Sequence, residues 1–283
     1  MKRKKSVPKI GVVFSSGFFG FFAHAGFLSA VRELKIKPSG YSGASSGAII
    51  AAMAASEMSD YDIKNVLFNV KKSDFWDPDP LSAIIKAGLK FFRGYNGYLK
   101  GEGFGRLLER IPVKRIEDCP VPLLITATNL TCQGEESFIK GNLKKAIQAS
   151  GAVPILFKPV MINGNAYVDG GMVNKAPIQT LTDLIKPDKI IVHLIKSANL
   201  KNSPNDFMKK NFSPWQIYRL SINISRQKAY QRQCLIAKQQ GIDIVTVNTD
   251  APKAGPNSLE YGEIDYHKAR EKTLDILSGE FSS

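Results

Sequence analysis

The sequence predicts an α/β fold in three layers, α/β/α, around a central, mostly parallel sheet. Short apolar runs rich in Val, Ile and Leu alternate along the chain with longer segments of helical period. No internal repeat or low-complexity linker interrupts that alternation. Such a pattern lays helices on a parallel sheet, because the crossover between parallel strands is commonly a helix. A basic leader at 1–9 is expected to precede one domain over 10–283. Its characteristic part lies at about 10–196 and a less characteristic part at about 197–283.

Residues 10–31 (IGVVFSSGFFGFFAHAGFLSAV) carry no formal charge and follow Lys2, Arg3, Lys4, Lys5 and Lys9. That is the outline of a secretory signal, with Ala23-His24-Ala25 as a cleavage site, and the length also admits a membrane span. The internal grammar favours strand, turn and helix. Val12, Val13 and Phe14 are strand formers, Gly17 and Gly20 would break a spanning helix, and the helical pattern from Ala23 continues through Arg32, Glu33 and Lys35. A short strand at 39–42 and a buried, alanine-rich helix at 48–56 follow. Helices at 60–71 and 81–92 flank Asp77-Pro78-Asp79-Pro80, and a short helix occupies 103–110. Strands are expected at 122–128 and 137–139, then a helix at 143–150 that Pro154 closes off. Asn163-Gly164-Asn165 marks a hairpin turn between 159–162 and 166–168. A helix at 177–184 with proline near its start, a core strand at 189–194, a long basic helix at 215–240, a strand at 242–247 and a closing helix at 261–277 complete the chain.

Composition narrows the function classes. With 43% hydrophobic and 23% charged residues, the chain is neither a disordered tail, a collagen-like fibre nor a polytopic membrane protein. Cys119, Cys132 and Cys234 are odd in number and widely spaced, which argues against a disulfide framework or zinc cluster and fits a reducing compartment. The 39 Lys and Arg against 25 Asp and Glu give +14, pointing to nucleic acid, an anionic membrane or an acidic substrate.

Two short motifs carry the chemistry. Gly43-Ala44-Ser45-Ser46-Gly47 matches G-x-S-x-G between a strand and a helix, the context of a nucleophile elbow. Gly43 and Gly47 leave room for the crowded backbone there, and the helix start aims free N–H groups at developing negative charge. The bland reading of Ser45 is a helix N-cap. Asp169 precedes Gly170 and Gly171 at a strand end, which reads as a plain turn or as a general base on a rigid strand.

Together these motifs, the turn SSGFFGFFAHAG (15–26), ITATNLTCQGEESFI (125–139) and AIQASGAVPILFKPVMINGNAYVDGGMVNKAPI (146–178) resemble the patatin-like phospholipase family. The resemblance covers roughly the first two thirds of the chain, with the signals in order. It implies a patatin-like fold and hydrolysis of lipid esters, of the phospholipase A or lysophospholipase type, through a Ser45–Asp169 dyad and an acyl-enzyme. It also implies an oxyanion loop, for which Gly17 and Phe18 are the first candidates as N–H donors, with Ser16 and Ser46 next. The family's loop is rich in glycine and carries a basic residue. Here Ser16 and Phe18 replace glycines and no basic side chain is present between Ser15 and Phe21.

Other readings remain open on the residues alone. The order Ser45, Asp169, then His193 or His267 formally fits a Ser-His-Asp α/β-hydrolase. A weak or inactive patatin-fold protein that binds anionic lipid is the non-enzymatic alternative. Basic residues interleaved with Trp215, Tyr218 and Tyr230 suit a membrane interface, as does the Lys- and aromatic-rich stretch at 84–101, which also reads as a flap. A lipid or phospholipid substrate and peripheral contact with anionic membrane are the expected partners, in a cytoplasmic setting. No nucleic-acid module, metal-ligand spacing or cofactor motif is visible.

Overall fold

The computed structural model describes residues 8–89, 93–196 and 214–281. Most of the basic leader therefore lies outside the described residues, as do the end of the helix expected at 81–92 and the basic residues between 197 and 213.

The uncharged amino-terminal run folds as strand, turn and helix: β1 is Ile10–Phe14 and α1 is Phe21–Glu33. Then come β2 (Gly40–Ala44), α2 (Ser46–Ala55), α3 (Asp60–Phe68), α4 (Leu81–Leu89), β3 (Gly97–Leu99), α5 (Glu102–Leu108), β4 (Leu123–Asn129) and β5 (Gly134–Phe138). The remainder is α6 (Leu143–Gly151), β6 (Ile155–Phe157), β7 (Val160–Ile162), β8 (Asn165–Val168), α7 (Ile178–Ile185), β9 (Lys189–Ile195), α8 (Pro214–Gln239), β10 (Asp243–Thr249) and α9 (Gly262–Phe281). Among the described strands and α-helices, only β3 and β6 were unexpected. They are three residues each and pair with one another in a separate two-stranded sheet, too short to leave a period in the sequence.

The main sheet runs β10-β9-β1-β2-β4-β8-β7, parallel from β10 to β4 and antiparallel beyond, with β5 also on β4. Helices cover both faces. Val12 and Phe14 join the core beneath α1, α2, α6 and α9, whereas Val13 joins Ile190 and Val192 against α7 and α8. Every residue of α2 is buried, which accounts for its run of alanines: a helix enclosed on all sides needs small apolar surface all round. Among the described residues no helix is long and apolar enough to cross a membrane.

One detail of register positions the site. Along β4, β5 occupies one edge from Ile125 to Asn129. The other edge is shared: β2 pairs with Leu123 to Thr126, and β8, running the opposite way, pairs with Thr128 and Asn129. The two strands meet head to head on that edge. The residue after β2 is Ser45 and the residue after β8 is Asp169, so the topology brings together two side chains 124 positions apart.

Candidate active site

Ser45 sits at the strand-to-helix turn with φ 55° and ψ −123°, a conformation that non-glycine residues rarely adopt. Its hydroxyl does not cap α2. It donates to Asp169 Oδ2 at 2.5 Å, and the N-cap reading of Ser45 falls away. Its own N–H donates to Ser150 Oγ at 2.8 Å, and Ser150 in turn donates to the Thr126 carbonyl at 2.6 Å. The elbow is thus tied to α6 and β4 through one buried hydroxyl. A Cβ on Gly47 would run into the carbonyls of Phe14 and Ser15, so β1 crosses the elbow at backbone contact distance.

Asp169 is buried and fully engaged. Oδ1 accepts from the Gly171 N–H at 2.7 Å, the Asp169 N–H donates to the Ala152 carbonyl at 2.9 Å, and its carbonyl accepts from Thr128 Oγ1 at 2.8 Å. A Cβ on Gly170 would strike the Thr126 carbonyl, which explains a glycine directly behind the acid. Burial raises the Asp169 pKa above the ordinary carboxylate value, opposed by the Ser45 hydrogen bond, the Arg226 charge and the Gly171 amide.

The turn after β1 lies alongside. Ser15 is anchored by its N–H to the His193 carbonyl at 3.1 Å and by the Ile195 N–H to its hydroxyl at 2.9 Å. The Ser16 N–H donates to the Lys175 carbonyl at 2.7 Å, so this expected oxyanion donor is already engaged. Ser16 instead meets the site through its hydroxyl, which accepts from Arg226. Gly17 and Gly20 close a turn through a 2.9 Å bond, with Phe19 at φ 56°. Among the described residues no acceptor binds the amides of Gly17 or Phe18. Ser46 Oγ is buried without a partner among the described residues and faces Gly20, so the first turn of α2 abuts the same loop.

The histidines lie elsewhere. His24 Nδ1 and His193 Nδ1 are 2.7 Å apart; His24 Nε2 bonds the Ser15 carbonyl at 2.8 Å and His193 Nε2 bonds Thr249 Oγ1 at 3.1 Å. Burial holds both well below the usual histidine pKa, His24 at about 3. His267 is exposed beside Glu263. None of the three reaches Ser45 or Asp169 in a hydrogen bond, which removes the geometric basis of the Ser-His-Asp reading. Two residues beside the site escaped the sequence reading. Ser150 passed as one more helical position, and Arg226 passed as one of many surface charges. No local pattern could have separated either from its neighbours.

A family model described as Patatin-like phospholipase matches residues 12–182, more than half of the chain. An uncharacterized NTE family protein of Mycobacterium tuberculosis is 27% identical over 181 residues, which is 62% of this chain and 46% of that protein. Lysophospholipase NTE1 of Cryptococcus neoformans is 26% identical over 219 residues, 76% of this chain and 13% of that protein. The chain therefore spans less than half the length of these curated relatives. Among solved structures, VipD from Legionella pneumophila superposes with a TM-score of 0.54 at 15% identity, covering 96% of this chain and 67% of that one. That likeness concerns the fold.

Proposed function

The chain belongs to the patatin-like phospholipase family, and from that premise we propose that it is a lipid acyl hydrolase working through Ser45 and Asp169. The observation that carries the reading is the 2.5 Å bond from Ser45 Oγ to Asp169 Oδ2, made by a serine held at φ 55° between strand and helix. In the proposed reaction Ser45 Oγ attacks the ester carbonyl while Asp169 takes its proton. The amides of Gly17 and Phe18 and the first turn of α2 stabilise the oxyanion. As the intermediate collapses, Asp169 returns the proton to the departing alcohol and an acyl-enzyme remains. Asp169 then deprotonates water, which releases the fatty acid and restores Ser45. A free aspartate is a feeble base near pKa 3.9; burial strengthens it.

Phospholipid and lysophospholipid are the proposed substrates, at an anionic membrane surface. Supporting that setting are the +14 charge and a stripe of exposed Leu81, Ile85 and Leu89, four residues apart on α4. A weakly active, lipid-binding protein is the second reading, favoured by the engaged Ser16 amide and the phenylalanine-rich loop. A fluorophosphonate probe discriminates. Labelling of the purified protein that is lost in Ser45→Ala and Asp169→Asn, both folded by circular dichroism, supports the hydrolase. Labelling that persists in Ser45→Ala overturns it.

A further inference from the structure

Arg226, in the middle of α8, is in contact with both halves of the site. Nη2 donates to the Ser16 hydroxyl, Nη1 lies 3.4 Å from Asn223 Oδ1, and Nε is buried without a partner among the described residues. A Cβ on Gly171 would come within 2.8 Å of Nη2, so the guanidinium packs on the glycine whose N–H holds Asp169 Oδ1. It thus touches the loop through Ser16 and the aspartate turn through Gly171.

The electrostatics are unusual for a surface helix. Arg226 forms no salt bridge among the described residues, and the acid whose charge supports it is Asp169. Lys175, a buried cation beside it, has its ammonium pushed down to about 8 by burial and by Arg226, and its Nζ lies 3.4 Å from Gln227 Oε1. Holding a half-buried guanidinium beside a buried ammonium is costly, and an apolar side chain of similar reach would pack the same space without that cost. The loop from Ser15 to Phe21 holds no basic residue of its own. We infer that Arg226 is a positioning residue of the proposed reaction, supplying from α8 the positive charge that balances the Asp169 carboxylate and anchors the loop through Ser16.

This inference rests on the hydrolase reading and makes a prediction about pH. Asp169 is faced by Ser45 at the elbow, by the Gly171 amide in its own turn and by Arg226 from α8. Lys175, from the segment after β8, turns to Gln227. Glu135 on β5 turns to Asn174 and Thr126, and His24 and His193 beneath the loop stay neutral. Removing the Arg226 charge leaves desolvation of Asp169 unopposed from that side, so its proton is held to higher pH.

The test is the rate of fluorophosphonate labelling between about pH 4.5 and 8.5 in wild type, R226M and R226K. In R226M the midpoint of the acid limb is expected to rise by about one pH unit, a roughly tenfold slower labelling on that limb. R226K, which keeps the charge and loses the fork, should keep the wild-type midpoint with a lower plateau. An unmoved midpoint in R226M overturns the inference, and so does a midpoint in R226K shifted as far as in R226M. Should R226M lose the wild-type circular dichroism spectrum, R226Q takes its place: a raised midpoint supports the inference and an unmoved one overturns it. Wild-type protein that takes no label at any pH ends the hydrolase reading itself, a result distinct from an acid limb indifferent to Arg226.

Discussion

The buried histidine pair makes the fold sensitive to mild acid, and the size of the effect follows from its wiring. With His24 Nε2 donating to the Ser15 carbonyl, His24 Nδ1 must accept from His193 Nδ1–H, and His193 Nε2 must accept from the Thr249 hydroxyl. Each ring is therefore neutral, and a second proton on either has no acceptor to meet. His24 titrates at about 3 in the fold and near 6.5 when unfolded. A depressed pKa means that the unfolded chain binds more protons as pH falls, so stability is unaffected above 6.5 and declines below it. Between pH 7.5 and 5.5 this removes on the order of 1 kcal/mol for His24, because the unfolded ring gains most of a proton and the folded ring almost none. His193, lowered in the same direction by burial and by His24, adds to the loss. The assay is urea unfolding at pH 7.5, 6.5 and 5.5 at fixed ionic strength, comparing wild type with His24→Gln, whose amide can still donate to Ser15. The variant is expected to lose on the order of 1 kcal/mol less than wild type over that range, whatever its stability at pH 7.5. Equal losses in the two proteins, within about 0.3 kcal/mol, would refute the reasoning, since that requires His24 to protonate freely inside the fold.

Ser150→Ala is expected to lower stability by about 1–3 kcal/mol, because the buried Ser45 N–H loses its acceptor and the Thr126 carbonyl a donor. The same change should slow fluorophosphonate labelling by loosening the elbow, measured alongside urea midpoints. Gly47→Ala places a methyl against the carbonyls of Phe14 and Ser15, so it should abolish labelling even where the protein remains folded; wild-type labelling rates would contradict the close crossing. Replacing Ile85 and Leu89 with Glu should reduce sedimentation with phosphatidylglycerol vesicles more than it alters labelling by a soluble probe, and unchanged sedimentation would remove α4 from the proposed membrane contact.

Much of the frame is legible locally. Runs such as IGVVF and KIIVHL, the alanine-rich stretch of α2 and the Asn163-Gly164-Asn165 turn each declare their element through period or turn chemistry, and the structure places elements there. The expected boundaries drift by a few residues. Helix 1 begins at Phe21 rather than Ala23, and strand 5 begins at Gly134 rather than Ser137, because pairing along β4 extends it beyond its apolar residues. The short β3 and β6 escaped because three residues carry no period, and Ile155, which starts β6, stands at φ 73°, a value no β-propensity foretells.

The sequence by itself determined the family resemblance, the strand-to-helix context of Ser45 and the glycines around Ser45 and Asp169, since these depend on residue type at short spacing. It could not determine which hydroxyl, amide or cation faces which. The head-to-head meeting of β2 and β8 on one edge of β4 joins Ser45 to Asp169, and the return of α6 supplies Ser150. The Lys175 carbonyl takes the Ser16 amide, and α8 sets Arg226 among charges that looked interchangeable along the chain. Hydrogen bonds and burial act over a few ångströms in space, between residues more than a hundred positions apart, and only tertiary packing sets those distances.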